Sequence, residues 1–125
     1  MIAKAELLQK IEERLDELVQ IAERCVTNTN AASTDLEESQ LRNLQNLASA
    51  TDSVAVLENF IAYQMGRKKL PVKVGQWILE DIQTLKGKAE ELTQNDEVLR
   101  WARMELIRLY LGFLVRKFVA ERKRE

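Results

Sequence analysis

The residue types that can do chemistry are concentrated in one short stretch, "FIAYQMGRKKLP" at residues 60–71. There Arg67, Lys68 and Lys69 follow Gly66 and precede Pro71, the only proline of the chain. Lys73 adds a fourth cation two residues later. Clustered cations of this kind can contact phosphate oxygens. Tyr63 stands one helical turn before Arg67, so the two can share a face. A tyrosine beside an arginine can meet a nucleotide by stacking and by charge. It can equally anchor the following loop through its hydroxyl. The same stretch also reads as an ordinary helix stop, with glycine just past the helix, cations near the negative pole and proline shortly after. Two further basic features are Arg42, on a Leu-Arg-Asn turn, and a tail carrying Arg116, Lys117, Arg122, Lys123 and Arg124.

Other chemistry is excluded by what the chain lacks. It has no histidine, so imidazole acid–base and triad roles are closed. Di-iron bundles built on Glu-x-x-His pairs are closed for the same reason. Cys25 is the one cysteine, which allows no intramolecular disulfide and, without histidine, no zinc site. There is no glycine-rich phosphate loop. The carboxylate pairs Glu12-Glu13, Glu37-Glu38, Glu80-Asp81 and Glu90-Glu91 fall on polar faces of predicted helices and read as solvated surface. Cys25 lies on an apolar seam, where a free cysteine packs as a small hydrophobe. The expectation is a protein that is not an enzyme and carries no metal or cofactor.

The elements that must position these residues are helices. A length of 125 residues suits a single domain, 1–125. One proline and four glycines are too little punctuation for a β-rich chain of this size. The spacing predicts an all-α bundle of about five helices with long first and last members. Residues 2–27 carry a heptad seam at Leu8, Ile11, Leu15, Leu18, Ala22 and Cys25, widened by Leu7, Val19 and Ile21. That helix would be roughly 40 Å long. "TNTNAASTD" at 27–35 reads as a loop, with Thr34 and Glu37 as a possible capping box. The next helix buries Leu41, Leu44, Leu47 and Ala48. Residues 51–53 either cap a further helix or lie in one bent helix, since they hold no Gly or Pro. Pro71 suits the first turn of the fourth helix, and Gly87 weakens its middle. "TQND" at 93–96 separates it from the last. The last, about 96–123, has two apolar rows: Leu99, Ala102, Leu106, Leu109 and Phe113, and Met104, Ile107, Leu111, Leu114 and Phe118. So wide an apolar face belongs at the centre of a bundle or against a second chain. Trp77, Trp101, Phe60, Phe113 and Phe118 sit on apolar stripes and are expected in the core.

Charge is divided along the chain. Residues 1–66 carry 5 Lys/Arg against 11 Asp/Glu, and residues 67–125 carry 14 against 9. The halves can attract one another within a molecule or between copies, and the basic half can face nucleic acid. The net charge of −1 is too neutral for unaided, high-affinity RNA binding. No signal pattern opens the sequence. The apolar region around 104–120 is interrupted by Glu105, Arg108, Arg116 and Lys117, which rules it out as a membrane span. A lone cysteine fits a reducing compartment, and the expected location is cytoplasmic, with no membrane partner.

"SQLRNLQ", followed at a distance by "FIAYQMGRKK", resembles the small helical subunit of type III CRISPR effector complexes, which serve antiviral defence. The matching positions are Gln40, Leu41 and Arg42, then Ala62, Tyr63, Gly66 and Arg67. The resemblance covers about the middle quarter of the chain. It implies a non-catalytic subunit stacked in copies along a ribonucleoprotein filament, contacting neighbouring protein subunits and the guide–target RNA backbone. Backbone contact is insensitive to sequence, as suits a complex whose specificity comes from guide pairing. The RNA-contacting candidates are Arg42, Tyr63 and Arg67, with Lys68, Lys69 and Lys73 added on local charge. The competing reading is a helical adaptor without a nucleic-acid role, whose acidic half docks on the basic half of another copy.

Overall fold

The computed structural model describes residues 2–124, with side chains from 4 to 123. Among these residues it is all-helical: α1 (Ile2–Glu12), α2 (Leu15–Asn28), α3 (Glu38–Ala50), α4 (Val54–Gly66), α5 (Val72–Leu92) and α6 (Asp96–Arg124), with a single 3-10 turn at Ala31–Ser33. No described helix is long and apolar enough to cross a membrane.

Six helices stand where about five were expected, because the long first helix is two. Arg14 sits at φ −102°, ψ 0°, and its amide bonds three residues back to Ile11 rather than four. The cause is tertiary. α2 runs along α6, whereas α1 swings over the turn between α5 and α6. There Lys10 Nζ donates to the Leu92 carbonyl (3.3 Å) and Lys4 lies over the Trp101 ring. The seam shifts at the break. Leu18, Ala22 and Cys25 are buried as the heptad predicts, but α1 buries Leu7 and leaves Leu8 about half exposed.

α6 is the hub. Its double apolar row buries Ala102, Met104, Leu106, Ile107, Leu111, Leu114 and Phe118, and α2, α3 and α5 pack around it. Leu99, Leu109 and Phe113 lie at the margin, only partly buried, as do Phe60, Trp77 and Trp101. Two α6 arginines clamp the α3 segment. Arg108 donates to the carbonyls of Ala48 (2.7 Å) and Thr51 (3.0 Å) and to Asp52 Oδ1 (2.9 Å). Arg122 donates to the carbonyls of Ala32, Thr34 and Leu36, and lies over the Phe118 ring. Arg122 is therefore structural, and the basic tail is not one free patch. Lys117 pairs with Glu121, and Arg116 lies over Phe113. The Arg124 side chain lies outside the described residues.

Local signals fared unevenly. The Thr34–Glu37 capping box does not form. Thr34 is spent inside the loop, donating to the Ala31 carbonyl and accepting from the Leu36 amide. The one-bent-helix alternative at 51–53 is excluded. Thr51 is extended, and Ser53 Oγ accepts from the Val56 amide as the N-cap of α4. Pro71 is the residue before α5 rather than a member of its first turn. Gly87 does not interrupt α5. Asn95 Oδ1 accepts from Glu97 and Val98 and caps α6.

Candidate nucleic-acid interface

α3 and α4 are joined by a tight turn and pack on one another, so the start of α3 lies beside the end of α4. The two segments of the sequence resemblance meet at that point. Gln64 falls on the buried stripe of α4, one position after Leu57 and Ile61 in the apolar repeat, and is itself buried. A buried amide must find partners, and Gln64 finds one on each side. Its Nε2 donates to Gln40 Oε1 of α3 (2.9 Å), and its Oε1 accepts from Arg67 Nη1 (3.2 Å). The Arg67 guanidinium also lies over the Tyr63 ring, 5.2 Å from its centroid. Gln40, Gln64, Arg67 and Tyr63 thus form one connected chain, with Phe60 adding a tilted ring contact to Tyr63 at 6.3 Å. The guanidinium is held by an amide on one side and a ring on the other, which cuts the entropy lost when it meets a ligand.

The turn after α4 has an unusual residue at its centre. Lys68, not a glycine, takes the left-handed conformation (φ 64°), and the amides of Lys69 and Leu70 both donate to the Gln64 carbonyl. Gly66 is simply the last residue of the helix, with open space around its Cα. The expectation of Gly66 just past the helix is off by one residue and wrong in mechanism. Leu70 is fully buried and pins the turn to the core. Gly75 allows the close crossing of α4 and α5, since a methyl there would overlap the Met65 thioether.

Tyr63, Arg67, Lys68, Lys69 and Lys73 are all exposed. Among the described residues none of the four cations has an ion pair. Arg67, Lys68 and Lys69 sit at the negative end of α4, where one or two positive charges would suffice for the helix itself, and Lys73 lies in the first turn of α5, at that helix's positive end. Arg42 is exposed but placed differently. Gln40 faces α4, and Arg42 lies about 200° further round α3 at 100° per residue. Its Nε pairs with Glu38 Oε2 at 2.5 Å, with both side chains about half exposed. The structure therefore brings Tyr63 and Arg67 together and leaves Arg42 on the opposite flank of α3. The sequence reading missed Gln64 as a positioning residue. The signal was there, as a polar side chain on an otherwise apolar heptad position.

The groups with shifted acidity lie elsewhere. Tyr110, fully buried on α6, donates to Asp81 Oδ2 of α5 (2.6 Å). Burial pushes the Asp81 carboxyl up to about 6, and pushes the Cys25 thiol up to about 12 with help from the Asp81 charge. A thiol of that kind is inert packing. The Glu17 carboxyl is lowered by its hydrogen bond to Lys88. Set against known proteins, the chain matches no family model, no curated protein and no solved structure.

Proposed function

We propose that the chain is a non-catalytic small subunit of a type III CRISPR RNA-guided effector complex, using the end of α4 to contact the guide–target RNA backbone. One observation carries the reading. The two short segments that resemble this family, far apart in sequence, are tied together by the Gln40–Gln64–Arg67 hydrogen bonds. Arg67 would meet phosphate, Tyr63 would cover a sugar or base face, and Lys68, Lys69 and Lys73 would supply sequence-independent attraction. Arg42 belongs to the same proposal as a separate contact on the other flank of α3. In this proposal the chain plays a structural role inside a larger complex.

A second reading is favoured by exposed apolar side chains. Val56 of α4 and Val72, the first residue of α5, are about half exposed, and side chains of that type suit protein contact better than RNA contact. As a helical adaptor, the chain would use them for another subunit or another copy. Purification of the assembled complex from its native host, with identification of the RNA and proteins that travel with it, separates the two. RNA crosslinked at Tyr63 or its neighbours supports the first, and a protein-only assembly supports the second.

A further inference from the structure

A cleft of about 340 Å³ opens between the start of α4, the middle of α5 and the first turns of α6. It is remote in function from the α4 end, because it shares none of the residues discussed there. Three cations line it, Lys86 from α5 and Arg100 and Arg103 from α6. Lys86 and Arg100 make no ion pair among the described residues. Arg103 reaches Glu90 only at 3.6 Å, through Nη2. Its Nε is buried and has no acceptor, an arrangement proteins seldom leave unrelieved. Two carboxylates also line the cleft, and both already have donors: Asp52 accepts from Arg108, and Glu58 accepts from Gln83 (2.6 Å). The start of α4 is capped by Ser53 and adds only its partial positive charge.

We propose that this cleft is an anion site that takes a phosphate group, with Lys86, Arg100 and Arg103 as its donors. The guanidiniums supply paired N–H donors and Lys86 a point charge, a combination that suits a phosphate better than a carboxylate. The volume leaves room for more than the phosphate itself, as a nucleotide requires. Nothing in this site depends on the α4 end, so either assignment can fail alone.

The chemistry fits a free phosphate ester or the phosphodiester of an RNA, and calorimetric titration distinguishes them. The full chain is titrated with adenosine monophosphate, with adenosine as the uncharged control, and with a short RNA oligonucleotide. Lys86→Gln/Arg100→Gln is titrated in parallel, and Arg100→Gln alone serves if the double variant does not fold. The proposal expects the monophosphate to bind, adenosine not to bind, and the variant to weaken the monophosphate by roughly tenfold. If the oligonucleotide instead shows that dependence, and Arg67→Ala leaves it unchanged, the site is assigned to an RNA backbone. Binding of both probes that is absent, or equal in wild type and variant, overturns the proposal.

Discussion

Arg108 and Arg122 stand about four helical turns apart on α6, roughly 21 Å, and hold the two ends of the α3 segment by its carbonyl oxygens. α3 has 13 residues, close to 20 Å of helix, so the spacing of the arginines matches the length of what they clamp. Arg108 satisfies carbonyls at the C-terminal end, where a helix leaves its last acceptors unpaired. Arg122 fixes the irregular segment that leads into α3.

Arg122→Ala should therefore cost about 2–3 kcal/mol, because a cation bound to several carbonyls is lost and those acceptors are left poorly solvated. Arg122→Lys should recover only part of it, since a single ammonium cannot reproduce the forked contacts. Chemical denaturation measures both. A loss within about 0.5 kcal/mol, ordinary for a solvated surface cation, would return Arg122 to the free basic tail.

The core prediction concerns α6. Leu106→Ala should destabilise by roughly 2–5 kcal/mol, since Leu106 is buried. Leu109→Ala should cost less, because Leu109 lies at the margin of the core. Equal denaturation midpoints for the two variants would contradict the hub arrangement.

The turn after α4 allows a paired test. A helical glycine with open space should gain from a methyl group, so Gly66→Ala should stabilise by about 0.5–1 kcal/mol. Lys68, left-handed without being glycine, should also gain by a similar amount as Lys68→Gly. Thermal melts of the two variants check this. A glycine that itself supplied the left-handed stop would give the opposite sign at Gly66.

Asp81 makes stability depend on pH. Its folded acidity, about 6, lies above the ordinary carboxylate value of 3.8. Between those values the folded chain holds a proton that the unfolded chain has released, so this contribution is full below about pH 4 and is lost as pH rises through 6. Asp81→Asn keeps an acceptor for Tyr110 and removes the charge. It should flatten the pH 4–6 part of the stability curve and leave the chain at least as stable at neutral pH. An unchanged slope would show that Asp81 is ionised throughout that range.

The helical class and the central place of α6 were legible because periodicity reports burial. The apolar rows of residues 96–123 fill more of the helix than one face needs. The break at Arg14 was not legible. Residues 12–14 carry no Gly or Pro, and the heptad spacing runs through them undisturbed. What ends α1 is its docking on the α5–α6 turn, a contact no local pattern encodes. The same holds for Arg122, whose partners near residue 34 are remote in sequence and reach it only through the fold. At the candidate site, Tyr63 and Arg67 could be paired from their spacing alone. Gln64 stands out in the sequence as a polar residue on an apolar repeat, but that it sets Arg67 could not be read, since its other partner, Gln40, is supplied by a different helix. Lys68 in the left-handed turn was hidden by the glycine two residues before it, which offered a simpler explanation.

The measurement that bears most directly on function is the salt dependence of RNA binding in the assembled complex, or at high concentration of the free chain. Wild type is compared with Arg42→Ala/Arg67→Ala across unrelated guide–target duplexes, with the fold checked by circular dichroism. The account predicts weaker binding by a similar factor for every sequence, with the log–log salt slope reduced by about one unit per lost phosphate contact. Affinity and slope equal to wild type, in a folded variant, would contradict it and leave the α4 end as a protein-docking surface.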